Sequence, residues 1–174
     1  FKQKTAYEIR LSLVGSEMCI RDRPRVGMQM HLSAAFDGFS WFGCGPHDTY
    51  DDRKTSGAIG LYKASVRKEF VLFENPQESG NKCDVRFAEL QNKEGKSLKI
   101  IANQLLNISA LPYAQRDIEL ARHTYDLKPS AIVNLNIDYK QIGVGGDDSW
   151  DNKGMPHPEF LLSSKRYAYG FILK

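Results

Sequence analysis

Short stretches in which apolar residues fall at every second position constrain this chain most, because that spacing suits a half-buried strand and excludes a bundle of helices. Val26, Met28, Met30 and Leu32 alternate with Gly27, Gln29 and His31. Cys83, Val85 and Phe87 alternate with Asp84, Arg86 and Ala88. Near the end, Tyr167, Tyr169 and Phe171 share one face, with Ala168, Gly170 and Ile172 on the other. Further strands are expected at residues 39–42, 69–73, 97–102, 105–110, 132–138 and 159–162. Residues 114–123 differ: Ile118, Leu120 and Ala121 lie near helical spacing after the turn signal at Pro112, which predicts one short helix. Many short strands separated by Gly, Pro, Asn and Asp predict an all-β sandwich or barrel. No internal repeat or second domain is visible.

Composition excludes several functions. The formal net charge is only +3 over 174 residues, and the signs are interspersed, so nothing marks a nucleic-acid surface. No apolar run approaches a membrane span, which gives no reason to expect a membrane partner. Cys19, Cys44 and Cys83 are too few and too widely spaced for a disulfide framework or a zinc knuckle.

The opening residues read differently. The run TAYEIRLSLVGSEMCIRDR resembles translated adaptor sequence found at the ends of metagenomic reading frames. A signal peptide is the rival reading, but Arg10, Glu17 and Arg21 interrupt any apolar segment. Residues 1–23 are therefore expected to lie outside the fold, and residues 24–174 to form it. The segment set aside holds Lys2, Lys4, Arg10, Arg21 and Arg23 against Glu8, Glu17 and Asp22, so the remainder is nearly neutral. A chain beginning with Phe1 is expected to be a piece of a longer reading frame.

Three motifs carry candidate chemistry. In WFGCGPHDTY-DDR, His47, Asp48, Asp51 and Asp52 are metal-ligating types, but their spacing fits no standard ligand pattern, and a polar loop is the simpler reading. In NPQESGNKCDVR, Glu78 and Arg86 either pair with each other or contact a polyol. The third, LNIDYKQIGVGGDDSW, has glycines at 143, 145 and 146. It is no phosphate-binding loop: no Lys follows, and Asp147 and Asp148 would repel phosphate. It reads as a strand running into a sharp turn, where Gly145 and Gly146 supply unusual dihedrals. Asp147 and Asp148 are expected to hydrogen-bond the loop's own amides. The turn holds Trp150 in a fixed place, either as a core residue or as a platform for the apolar face of a sugar ring.

These motifs, in this order, resemble the β-galactosidases of glycoside hydrolase family 2. PRVGMQM, HPEF and RYAYGF resemble the same family, and the likeness extends over residues 24–174. Ser79 departs from the Asn found in many members. The resemblance implies the later part of a C-terminal antiparallel supersandwich of galactose mutarotase-like fold. Roughly its first hundred residues, the jelly-roll and immunoglobulin-like domains and the TIM barrel would lie elsewhere. It places the two catalytic carboxylates of a retaining glycosidase in that barrel, so that none of Glu69, Glu74, Glu78, Glu89 or Glu94 is one of them. No catalytic residue and no metal site is expected within this chain, and Mg and Na ions would belong to the intact enzyme. Trp150 takes the role of substrate-stacking residue, supported by Gly145, Gly146, Asp147 and Asp148. The implied partners are a β-galactoside such as lactose, the missing domains, and further copies in a homo-oligomer. A stand-alone carbohydrate-binding module and a mutarotase-like aldose epimerase are the alternatives. The epimerase needs a general acid and base converging from His47, His123 and His157.

Overall fold

The structure is a computed structural model that describes residues 7–14, 24–148, 154–163 and 166–174. Among the described residues, eight strands form an antiparallel array: β1 (Tyr7–Val14), β2 (Arg25–Ser33), β3 (Gly38–Gly45), β4 (Ala58–Ser65), β5 (Lys82–Gln91), β6 (Ser97–Leu111), β7 (Ile132–Gln141) and β8 (Arg166–Leu173). Hydrogen bonding runs β1-β8-β6-β5-β3-β4, with β7 joining β6 to β2. The fold is all-β, as the alternation predicts, with one short helix, α1 (Gln115–Leu120).

Strand β6 organises the molecule. Residues 97–102 and 105–110 read as two strands, but they form one of 15 residues. Neither Gly nor Pro interrupts residues 103–104, so nothing ends the ladder there. The first half of β6 pairs with β5 and with β8 through Ile100–Leu173, Ile101–Ile172 and Ala102–Phe171. Its second half pairs with β7, from Asn107–Asp138 to Leu111–Asn134. Phe39, Trp41, Leu90, Ile108, Leu135 and Phe171 belong to the main core, with Met28 and Met30 packed against it. Burial of this kind contributes about 1.5–3 kcal/mol per large apolar side chain. A smaller cluster of Phe70, Leu111, Ile118 and Leu127 seats α1.

Several expectations are corrected. Residues 69–73 are not a strand. They follow a 3-10 turn at Val66–Lys68, and burial of Phe70 under α1 holds them in a loop. Residues 159–162 are not a strand either: Pro158 opens a 3-10 turn through Phe160, where its fixed φ fits and its missing N–H costs nothing. The helix is shorter than 114–123. The Asp126 carboxylate accepts the amides of Arg122 and His123 and starts a new turn there. Strand β4 has no counterpart in the expected set, because none of its residues is buried.

Residues 1–23 were set apart from the fold, but Tyr7–Val14 pairs with β8 over its whole length, from Tyr7–Leu173 to Val14–Arg166. Tyr7, Ile9, Leu11 and Leu13 alternate with Glu8, Arg10 and Ser12, which is sufficient for a strand on an open sheet edge.

Candidate functional site

The three motifs meet at one end of the sheet. The first leaves β3, the second enters β5 and the third leaves β7. Thr49 joins the first two: its amide donates to Asn81 O at 2.8 Å, and its hydroxyl accepts the Cys83 amide at 2.9 Å. Asn81 Nδ2 donates back to Thr49 O at 2.8 Å and reaches Asn107 on β6 at 3.3 Å. These groups are buried, so each bond also avoids the cost of a stranded polar atom.

Glu78 does not pair with Arg86. It meets Arg25 of β2 at 2.7 Å and accepts the Tyr50 hydroxyl at 3.4 Å. Arg25 reaches on to Asp138 of β7 at 3.2 Å. Arg86 donates to Asp84 O at 2.9 Å and lies over the Phe42 ring. Asp84 has φ of 54°, in the left-handed region that Asp tolerates better than most residues. Lys54 fixes its carboxylate at 3.1 Å while also holding Asp51 at 3.1 Å.

The residues weighed as metal ligands point to separate partners. His47 bonds Ser56, Asp48 takes Arg53, and Asp51 takes Lys54. Among the described residues no three His, Cys, Asp or Glu side chains form a group able to hold a metal ion. The Mg and Na ions implied by the resemblance have no fitting donor set among the described residues. Cys44 and Cys83 are buried free thiols, and burial pushes the Cys83 thiol up to about 12. Burial and the adjacent Asp84 raise Cys44 as well. Neither is poised as a nucleophile. Cys19 lies outside the described residues.

Asp52 has the most telling position. Its Oδ2 accepts the amide of Val144 at 2.7 Å and that of Gly145 at 3.0 Å, across more than ninety residues of sequence. Two successive amides converging on one oxygen form a small anion-binding concavity. Gly143 makes the approach possible, because a Cβ there would lie 2.5 Å from that oxygen. The loop is held elsewhere by Ile142 N on Pro24 O at 2.9 Å and Gly143 N on Phe160 O at 3.1 Å. Asp147, expected to bond the loop's own amides, meets His157 at 2.8 Å. That contact raises the His157 pKa, chiefly through the hydrogen bond. A groove of about 510 Å³ is lined in part by Asp51, Lys54, Tyr139, Lys140 and Phe160. Trp150, two residues past Asp148, lies outside the described residues. The second tryptophan, Trp41, is a core residue whose indole N–H donates to Cys44 O at 2.9 Å.

Of the histidines needed for an epimerase, His47 bonds Ser56, His123 stacks on Tyr125 and His157 meets Asp147. Each is engaged separately. What the fold and its knitted end define is an antiparallel β unit that holds a loop at its surface.

Comparison with known proteins identifies the unit. The family model "Beta galactosidase small chain" matches residues 1–173, and the chain belongs to that family. It is 41% identical to a β-galactosidase of Priestia megaterium over 168 residues, 96% of this chain and 16% of that protein. A β-galactosidase of Vibrio cholerae is 35% identical over 151 residues, 87% of this chain and 14% of its own length. One from Lactobacillus delbrueckii subsp. bulgaricus is 37% identical over 144 residues, 82% of this chain and 14% of its own length. The chain thus spans 14–16% of the length of these relatives.

Proposed function

We propose that this chain serves as part of a retaining β-galactosidase that hydrolyses terminal β-D-galactosides such as lactose. Its own contribution is a fixed loop that places Trp150 against the sugar. Membership of the β-galactosidase small chain family supports the activity. The observation that carries the loop's role is the capture of two successive loop amides by Asp52, which restrains the chain just before Trp150.

The reaction belongs to the rest of the enzyme. One carboxylate attacks the anomeric carbon while the other protonates the departing oxygen, the pair standing about 5 Å apart as retention requires. This chain acts on binding. An indole face covers the C–H side of galactose and holds the ring in register, so that binding energy is spent on orientation. Alone, the chain has no hydrolytic activity.

The test is the Trp150→Ala variant of the full-length enzyme. The expected loss is about 2–3 kcal/mol of transition-state binding, or roughly 30- to 150-fold in kcat/KM on lactose. Product released first as the β-anomer supports the retaining course. Wild-type kinetics in the variant would remove Trp150 from the site, and an α-anomer first product would overturn retention.

A further inference from the structure

Asp52 belongs to the first motif, yet its carboxylate serves the third. The turn that carries it is closed by backbone bonds in both directions, Arg53 N to Tyr50 O at 2.8 Å and Tyr50 N to Arg53 O at 3.4 Å. Arg53 is itself held by Asp48 at 3.3 Å and lies over the Tyr50 ring at 5.3 Å. The Tyr50 side chain is buried, so the turn is anchored before it reaches the loop. Asp52 therefore presents its acceptor in a set place.

The loop needs such a hold because little packing fixes it. Val144, Gly145, Gly146, Asp147 and Asp148 are all exposed. A Cβ added at Gly145 meets no described atom within 4 Å, so no steric contact defines that side of the loop. The bonds at Ile142 and Gly143 fix where the loop leaves β7, not where it goes next. The Asp147–His157 pair is exposed at 71% and 49%, and solvent screens contacts of that kind to little value. The two amide bonds to Asp52 fix the start of this exposed stretch, at Val144 and Gly145. Hydrogen bonds to a carboxylate are shorter and stronger than neutral ones.

We propose that Asp52 is a positioning residue for galactoside binding: by gripping the Val144 and Gly145 amides it sets where the following residues, through Trp150, meet the sugar. This rests on the Trp150 reading given above. Asp52 itself touches no substrate. Gly143 completes the device, since any side chain there would push Asp52 away. The expected signature falls on substrate binding, because a displaced platform weakens contact with ground state and transition state alike.

The experiment uses the full-length enzyme carrying this segment, with an aryl β-galactoside as probe. The variants are Asp52→Ala, Asp52→Asn, Gly143→Ala, Trp150→Ala and the Asp52→Ala/Trp150→Ala pair. Asp52→Ala raises KM on the order of tenfold with a smaller change in kcat, the scale expected for a misplaced binding group. Asp52→Asn recovers most of the loss, because its amide oxygen still accepts both bonds. In the Trp150→Ala background, Asp52→Ala adds no more than about twofold, since both changes remove one contact. Wild-type kinetics for Asp52→Ala beside an impaired Trp150→Ala overturns the inference and leaves the function standing. Losses that multiply in the double variant, or an Asn variant as impaired as the Ala variant, overturn it too. Wild-type kinetics for Trp150→Ala sinks the stacking role and this inference together. Should Asp52→Ala fail to fold, Gly143→Ala decides: raised KM supports the grip, and unchanged KM overturns it.

Discussion

Gly27 and Asp138 face each other across β2 and β7 so closely that a Cβ on Gly27 would lie 1.6 Å from Asp138 Oδ1. The ladder shifts register at Val26–Gly27, beside this pair. The absent side chain is what lets the Asp138 carboxylate fold in beneath β2 and reach Arg25. Gly27→Ala is therefore predicted to destabilise the protein by about 1–3 kcal/mol through overpacking. Urea denaturation measures it. Adding Asp138→Ala should recover part of the loss, and strict additivity would show that the two side-chain spaces are not shared.

Asp138 also predicts a pH dependence. Burial raises its pKa to about 7; Arg25 pulls it down and Glu78 adds to the rise. Arg25 does not cancel the burial because it is shared with Glu78 at the shorter distance of 2.7 Å. Tyr169 stands near as well, its hydroxyl pushed up by burial first and then by Asp138. The folded state thus binds a proton that the unfolded chain, with a pKa near 3.8, releases. Asp138's contribution is fully present below pH ~4 and lost as pH rises through about 7. Asp138→Asn should flatten the fall in urea midpoint between pH 5 and 8. An equal slope in wild type and variant would contradict the assignment.

Lys82 and Glu69 form a buried ion pair at 2.6 Å, with side chains 2% and 8% exposed. Lys82 also lies 4.7 Å from the centre of the Trp41 ring and reaches Pro46 O at 3.3 Å. Removing either partner strands a charge, so Lys82→Ala or Glu69→Ala should each cost about 3–5 kcal/mol. Replacing both with Met should cost far less than the sum. A double-mutant cycle by urea denaturation reads the difference, and additive losses would rule out the coupling.

The face of the sheet turned from the core carries an apolar row. Leu61 stands opposite Phe42, Phe42 opposite Phe87 and Phe87 opposite Ile101. The Phe42 and Phe87 rings stack at 5.7 Å. Leu61 and Phe87 remain 59% and 41% exposed. Residues 24–174 produced alone are predicted to self-associate, and Leu61→Lys with Phe87→Lys to reduce it. Light scattering distinguishes the outcomes: a monomeric parent would contradict the prediction.

The period-two spacing located β2, β5 and β8, because each of them faces the core on at least one side, although register shifts in β5 leave Phe87 exposed, off the face of Cys83 and Val85. It missed β4, whose Ile59 and Leu61 are exposed and stand among Ala58, Gly60 and Tyr62, so no buried face announced itself. It read residues 69–73 as a strand because burial of Phe70 leaves the same signature in a loop as on a sheet. At the site, the sequence showed that the glycine-rich turn must be braced. It looked for the bracing in Asp147 and Asp148, the nearest carboxylates, and did not point to Asp52, which accepts the Val144 and Gly145 amides. A partner ninety residues away leaves no local trace; the unexplained Asp51-Asp52 pair in the first motif was the one available signal.

The central claim is that a loop gripped from a distant turn puts Trp150 against galactose. A structure of the full-length enzyme with bound galactose tests it most directly. The account predicts the indole face in van der Waals contact with the apolar face of the sugar, at about 3.5–4 Å, with Asp52 still on the Val144 and Gly145 amides. An indole sealed inside the sandwich, with galactose bound elsewhere, would contradict it.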